Sequence, residues 1–151
     1  MKKLLLLIFA VCSVFTTYAQ VKCDAGHIDI GMTFKRAIIV GNDAIIDFTL
    51  TNYSRKEIKI DMDKSRCRAY DDEGNCYLEQ HFMFDFANTE ESGCILPSET
   101  TIKLRCYISD IDEYATNFTR IELQYFLNCY GYFTTSQLKK MTVRNVGFVR
   151  D

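Results

Sequence analysis

His27 and His81 are the two histidines of the chain, and His81 alone stands where imidazole chemistry is conceivable. It opens the run His81-Phe82-Met83-Phe84-Asp85-Phe86. On an extended strand successive side chains point to opposite faces, so His81, Met83 and Asp85 would share one face and the three phenylalanines the other. An imidazole beside a carboxylate is the orienting half of a general acid–base or nucleophilic site. A small hydrolase using His81 and Asp85 is therefore one reading of this run. An outward histidine on a strand satisfies the same residues with no reaction at all, and that is the expectation here. His27 follows Gly26 with nothing reactive beside it.

Two acidic clusters gather oxygen ligands. Asp71-Asp72-Glu73-Gly74-Asn75 lacks the alternating acid spacing and the distal glutamate of a calcium loop, and Asp110-Ile111-Asp112-Glu113 would need a second loop to complete a coordination shell. Both read as solvated turn carboxylates. No metal and no cofactor is expected. A different kind of candidate is aromatic. If Asn128 to Gly131 is a loop tip, Tyr130, Tyr132 and Phe133 are candidate binding residues, because such rings offer stiff, amphipathic contact area to a protein or a glycan. Packing along a hairpin to close one end of a fold is the competing use of the same residues.

The cysteines must be read with the N-terminus. Met1-Lys2-Lys3 is a short cationic head, Leu4 to Phe15 is an apolar run, and Thr17-Tyr18-Ala19 offers a cleavage site before Gln20. A membrane anchor needs about 20 apolar residues, and Thr16, Thr17 and Gln20 close this run sooner. A lipid anchor on Cys12 or Cys23 lacks the right flanks. Residues 1–19 are thus a predicted signal peptide and 20–151 a single domain, exported to the periplasm or the medium, with no membrane insertion after cleavage. Of seven cysteines, Cys12 leaves with the leader. Cys23, Cys67, Cys76, Cys94, Cys106 and Cys129 remain, an even set in an oxidising compartment, and are disulfide candidates. Zinc would want close pairs, and even the nearest two, Cys67 and Cys76, are widely separated. The charge balance, 18 basic against 20 acidic side chains, is mild. Lys64, Arg66 and Arg68 are diluted by Asp61, Asp63, Asp71, Asp72 and Glu73. No nucleic-acid partner is expected from such a surface.

The elements that must position these residues read as strand after strand. Ala44 to Thr51 alternates with Ile46, Phe48 and Leu50 inward and Asp47, Thr49 and Thr51 outward. Glu57 to Asp63 repeats the pattern with Ile58, Ile60 and Met62. Thr101 to Ile108 repeats it with Ile102, Leu104, Cys106 and Ile108, and Arg120 to Leu127 with Ile121, Leu123 and Tyr125. In Lys140 to Val149 the phase changes near Asn145, which predicts a bulge. Strands are also predicted over Phe34 to Val40, Arg66 to Tyr70 and Cys76 to Phe84. Gly41-Asn42-Asp43, the turn around Gly74 and Asn128 to Gly131 punctuate them, and Asp110 to Asn117 alone suggests a helical turn. Short strands at this spacing predict an all-β antiparallel sandwich.

Three stretches carry a resemblance: Ile46 to Asn52 followed by Ser54-Arg55-Lys56-Glu57-Ile58, the hairpin Ala69 to Tyr77, and Ile95-Leu96-Pro97-Ser98-Glu99-Thr100 leading into the next strand. Together they resemble the bacterial exported telokin-like, immunoglobulin-like β-sandwich families, over roughly Ile28 to Leu127. The resemblance implies a fold with an asparagine at a strand end, a glycine turn and a proline ahead of a strand. It implies no chemistry, since function does not travel with fold. Within such a sandwich a buried bridge between Cys67 and Cys106 is geometrically possible, with Cys76–Cys94 and Cys23–Cys129 as the remainder. The reading as a whole is a non-catalytic binding or interaction module of the envelope or secretome, with a protein or glycan partner. A secreted inhibitor of a hydrolase and the His81–Asp85 hydrolase are the alternatives. N-terminal sequencing of the exported protein is expected to begin at Gln20; retention of Lys2 and Lys3 in that fraction would contradict the leader.

Overall fold

Alternation in the sequence becomes alternation in burial. The computed structural model describes residues 20–87, 93–129 and 136–151, so the leader lies outside the described residues. In chain order the strands are β1 (Lys22–Asp24), β2 (Ile30–Val40), β3 (Asp43–Asn52), β4 (Ile58–Met62), β5 (Arg68–Asp71), β6 (Cys76–Tyr77), β7 (Phe82–Phe86), β8 (Gly93–Leu96), β9 (Thr101–Ile108), β10 (Asn117–Cys129), β11 (Gln137–Gly147) and β12 (Val149–Arg150). Two short 3-10 turns, Lys64–Arg66 and Glu79–His81, precede β5 and β7. Among the described residues there is no α-helix.

One sheet has the order β1-β11-β10-β4-β8, with β5 and β6 continuing it beside the first half of β10; the other has the order β12-β2-β3-β9-β7. All pairs are antiparallel except β12 with β2. Strands β2-β3-β9-β7 stacked on β11-β10-β4 reproduce the two-sheet strand order of an immunoglobulin-like sandwich. The fold is therefore the expected all-β, immunoglobulin-like one.

The inward positions predicted on four strands are those that meet between the sheets. Ile46, Phe48, Leu50, Ile58, Ile60, Leu104, Cys106, Ile108, Ile121, Leu123 and Tyr125 are all buried. Phe82, Phe84 and Phe86 join them from β7, and Met141, Val143 and Val146 from β11. Each fully buried side chain of this size contributes about 1.5–3 kcal/mol relative to an exposed one. Because the side-chain period is two, a one-residue slip would expose a whole set at once, so burial also fixes register. The buried Tyr125 phenol donates to the Ala25 carbonyl at 2.7 Å and ties the segment after β1 to β10.

A single asparagine organises one end of the sandwich. Asn52, the last residue of β3, is fully buried. Its amide nitrogen donates to the carbonyls of Lys56, Leu96 and Pro97 at 2.7, 3.1 and 3.1 Å. Its carbonyl accepts from the Ser54 amide and hydroxyl at 2.9 and 2.8 Å. The Lys56 and Pro97 carbonyls also accept from the Ser54 and Thr100 hydroxyls at 2.9 and 2.8 Å, so truncating Asn52 would strip a donor from the Leu96 carbonyl and an acceptor from the Ser54 amide, at about 1–3 kcal/mol per buried group.

Several expectations need correction. The run Cys76 to Phe84 is not one strand: β6 belongs to one sheet and β7 to the other, and the Glu79–His81 turn carries the chain across. Cysteine 67 follows a turn rather than lying within a strand, although it does share the inner face with Ala69. Asp110 to Asn117 makes bends and a turn, with no helical stretch. Asn128 and Cys129 continue β10 instead of forming a turn, and Tyr130 and Gly131 lie outside the described residues. The phase change near Asn145 is real: its φ is 60°. Yet β10 and β11 keep equal residue counts across it, and the register shift falls between β10 and β5, at Phe118/Arg120.

Sheet register also corrects two of the three suggested cysteine pairings. Cys23 is level with Val143 and, through it, Ile121, eight residues along β10 from Cys129. Cys76 is level with Tyr70 and Arg120, while Cys94 is level with Ile60 and Leu127. At about 3.3 Å per residue these pairs are separated by more than 20 Å, against the roughly 4.4–6.8 Å between α-carbons that a disulfide spans. Among the described residues Cys23, Cys67, Cys76, Cys94 and Cys106 are free thiols.

Replacing Asn52 by alanine is expected to lower unfolding free energy by about 2 kcal/mol in urea titrations with the strand content unchanged. A loss within about 0.5 kcal/mol, the range of ordinary surface substitutions, would mean that the Asn52 contacts do not hold the strand ends.

Candidate interaction surface

The alternative catalytic pair, His81 with Asp85, is not assembled, and His81 is not an outward strand residue either. Within the Glu79–His81 turn, His81 Nδ1 lies 3.0 Å from the Ser109 carbonyl oxygen and 3.4 Å from Asp110 Oδ2. Its ring meets Tyr77 edge-on, with centroids 5.6 Å apart. Asp85 lies four residues further on, on the outer face of β7. The turn that takes the chain between sheets rotates His81 off the face that Asp85 occupies, so sequence alternation alone misplaced it.

The acidic clusters are engaged as acceptors. Asp71, expected as a solvated turn carboxylate, is buried. It accepts from the amides of Glu73 and Asn75 at 3.0 and 2.8 Å, from the Asn75 side chain at 2.9 Å and from the Tyr77 hydroxyl at 2.8 Å. Burial pushes its carboxyl up, and these four bonds outweigh that and hold it below the usual range. Burial and the neighbouring Asp71 and Asp112 push the Tyr77 phenol up to about 12. Asp72 accepts from the backbone and side chains of Thr116 and Asn117 and so anchors the start of β10. Among the described residues no three His, Cys, Asp or Glu side chains converge as metal ligands. Tyr130, Tyr132 and Phe133 lie outside the described residues.

What the fold assembles instead is the outer face of the five-stranded sheet. Strand register places Arg36, Asp47, Arg105 and Asp85 side by side on β2, β3, β9 and β7, a row of alternating charge across four strands. Arg36 Nε donates to Asp47 Oδ2 at 2.7 Å, and Arg105 Nε and Nη2 donate to Asp47 Oδ1 and Oδ2 at 2.6 and 3.2 Å. The Arg105 bonds hold the Asp47 carboxyl below its usual value; partial burial opposes them and Arg36 adds to them. Arg105, bonded also to Tyr107, is in turn held more firmly protonated. Asp85, its neighbour in the row, has one carboxylate oxygen that is enclosed and without a hydrogen-bond partner.

A register shift between Phe34 and Arg36 inserts Lys35 into β2, which exposes two adjacent cations at this level. Together with Lys103 these groups line a shallow depression of about 290 Å³, whose wall comprises Lys35, Arg36, Asp47, Asp85, Lys103 and Arg105 with Phe48 and Thr49. Four cations against two carboxylates leave two net positive charges there, in a chain whose net charge is −2.

Directly beside the charged row runs an apolar one. Val149, Ile38, Ile45, Tyr107 and Met83 are partners in register across all five strands. Its two ends are the most open, with Val149 68% and Met83 59% exposed. Sequence reading placed Asp47 outward, and alternation also implies outward Arg105 and Tyr107. It missed the rows, because they join residues as far apart in the chain as Asp47 and Arg105, and only strand pairing reveals which outward positions share a level.

No protein-family model matches the chain, and no curated protein matches it. Solved structures with a similar course of backbone include a family 123 glycoside hydrolase from Clostridium perfringens, at 5% identity and a TM-score of 0.45, covering 80% of this chain and 27% of that one. The CooA pilin subunit of enterotoxigenic Escherichia coli aligns at 9% identity and a TM-score of 0.42, over 82% of this chain and 99% of the pilin. PapD-like domain 7 of human CEP192 aligns at 12% identity and a TM-score of 0.41, over 81% and 80% of the two chains. The chain thus spans about a quarter of the hydrolase's length. Likeness at this level carries no function across, and the fold assignment rests on the strand order itself.

The charged row has a signature in pH. The folded carboxyl of Asp47 titrates below its unfolded value, so its contribution to stability is present above about pH 4 and is lost as pH falls through the depressed value. In carbon-detected NMR titrations Asp47 is expected to inflect below about 3.9, and Asp47→Asn is expected to flatten the acid decline of the urea midpoint. An Asp47 inflection at or above 3.9 would contradict the Arg36–Asp47–Arg105 linkage.

Proposed function

We propose that this chain is an exported, non-catalytic interaction module of the telokin-like kind, and that it recognises a protein partner through the outer face of its five-stranded sheet. The observation that carries the reading is the pairing of the two rows. An apolar strip crossing the whole sheet, about 19 Å between its outermost strands, lies against a strip with excess positive charge. Exposed apolar side chains aligned in one contiguous strip mark surfaces that are covered in use. Charge beside the strip sets orientation and partner choice more than affinity. The fitting partner therefore presents carboxylates alongside an apolar ridge. Lys35 and Lys103, exposed and without an ion pair among the described residues, are the groups available to meet those carboxylates.

A rigid sheet suits this use. Its backbone is committed to ladder hydrogen bonds, so little ordering entropy is lost on binding. No helix among the described residues is long and apolar enough to cross a membrane, and export through the predicted leader would place the face where an envelope or extracellular protein can reach it.

The test uses protein recovered after export of the full chain, with binding to envelope and medium proteins measured for wild type and for two double variants. Met83→Glu with Val149→Glu, and Lys35→Glu with Lys103→Glu, alter exposed groups and leave the core untouched. Each is expected to weaken capture of an acidic protein at least tenfold, with circular dichroism and the urea midpoint unchanged. Capture that persists in both variants would overturn the surface assignment. So would capture abolished by Tyr130→Ala with Tyr132→Ala alone, or binding of a glycan that competes with no protein.

A further inference from the structure

We infer that Cys67 and Cys106 form a cross-sheet disulfide when the chain folds in the presence of a disulfide-bearing oxidant. This is independent of the recognition surface, which lies on the opposite side of β9.

The two thiols are free and lie in facing layers of one buried core. Cys67 precedes β5 on the inner face of the seven-stranded sheet, and Cys106 sits on the inner face of β9 in the other; they are 1% and 0% exposed and belong to one core cluster. The edge-on contact of Tyr77 with His81 joins the two sheets at one end of the sandwich. From Tyr77 the register leads to Ala69, and Cys67 is two residues before it, just ahead of β5. From His81 the chain enters β7 at Phe82, which is level with Ile108, and Cys106 is two residues further in along β9. Both steps run away from the same joined end. The thiols also sense one another. Burial pushes Cys106 well above the usual thiol value, with the Cys67 charge as the second cause, and burial pushes Cys67 up to about 11.

No other described thiols are so placed. Cys76 is exposed on β6, and Cys94 faces Ile60 on β8, where burial and the Asp61 carboxylate push it up to about 12. Cys23 lies on β1, at the far side of the same sheet. In its reduced form Cys67 donates its S–H to the Asp63 carbonyl at 3.3 Å. Oxidation exchanges that weak bond for a covalent one across the core.

The chemistry also fixes when it happens. A thiolate is the attacking species, and the closed core both suppresses the thiolate and excludes an oxidant. The bond therefore forms before the sheets close, while both thiols have ordinary acidity. The first thiolate attacks a sulfur of the oxidant's disulfide and releases one thiol; the second then attacks the mixed disulfide and releases the other. Two electrons and two protons pass to the oxidant, which leaves as two thiols, and the chain loses two hydrogens. Once closed, the bridge is shielded from small reductants.

The test unfolds and reduces the purified exported protein, then refolds it in a mixture of reduced and oxidised glutathione. After acid quenching it is alkylated and its peptides are mapped without reduction. A linked pair carrying Cys67 and Cys106 is expected, with a mass lower by two hydrogens than the two free peptides, and resistant to reductant until denaturant is added. The oxidised protein is expected to unfold at higher urea than the reduced one, a difference that Cys67→Ser abolishes and Cys76→Ser does not. Both thiols alkylated after denaturation of the refolded protein, or Cys67 linked to Cys76, would overturn the inference. The mapping is done on the wild-type chain, so it stands even if Cys67→Ser fails to fold.

Discussion

Among the described residues, each long strand of the two sheets buries one face and only one, and the rest of the structure follows from that constraint. With a side-chain period of two, burying Ile46, Phe48 and Leu50 on β3 and Leu104, Cys106 and Ile108 on β9 rules out any one-residue slip, which would turn a whole set away from the opposite sheet. The outward positions have no such pressure on their chemistry, but they inherit the alignment. Asp47 stands beside Arg105 because Ile46 and Phe48 stand beside Cys106 and Leu104. The candidate surface is in this sense a by-product of the core, built from residues that alternation leaves free to vary.

Polar groups close what the core leaves open. The ends of a sandwich expose strand termini and turns whose carbonyls and amides still need partners. Asn52 supplies them at one end, linking the β3–β4 turn to the end of β8. Asp71 and Asp72 supply them at the other, drawing the Gly74 turn, Tyr77 and the start of β10 together. The acidic cluster around Asp71 is engaged in this closure. Its lone pairs are already directed at N–H and O–H donors, and a cation would have to displace four of them from Asp71 alone.

The strands were legible wherever one face is uniformly apolar over five or more residues, as in β3, β4, β9 and β10. Legibility failed at changes of sheet. Cys76 to Phe84 alternates well enough to read as one strand, and only the tertiary requirement to feed both layers breaks it at His81, which dissolves the His81–Asp85 pair. The cysteine pairings failed for a related reason. Spacing along the chain says nothing about height within a sheet, and Cys76–Cys94 and Cys23–Cys129 differ in height by most of the length of β10. Register does not separate Cys67 from Cys106 in this way: both are free thiols on inner faces of the two sheets, and their pairing rests on the inference above. The charged and apolar rows were illegible from the outset, since each needs four or five strands in known register, and Arg36 reaches the outer face only because the register shift at Lys35 reverses the phase after Phe34.

The central claim is one of alignment: the outer face presents its charges in one row and its apolar groups in the next. Through-space proton contacts between strands, measured by NMR on isotopically labelled protein, test it most directly. The account predicts contacts that pair Asp47 with Arg105 and Arg105 with Asp85, and contacts that pair Ile45 with Tyr107 and Tyr107 with Met83. Contacts displaced by one residue, with Asp47 opposite Leu104 or Cys106, would turn Arg105 into the core and contradict both the surface and the fold that produces it.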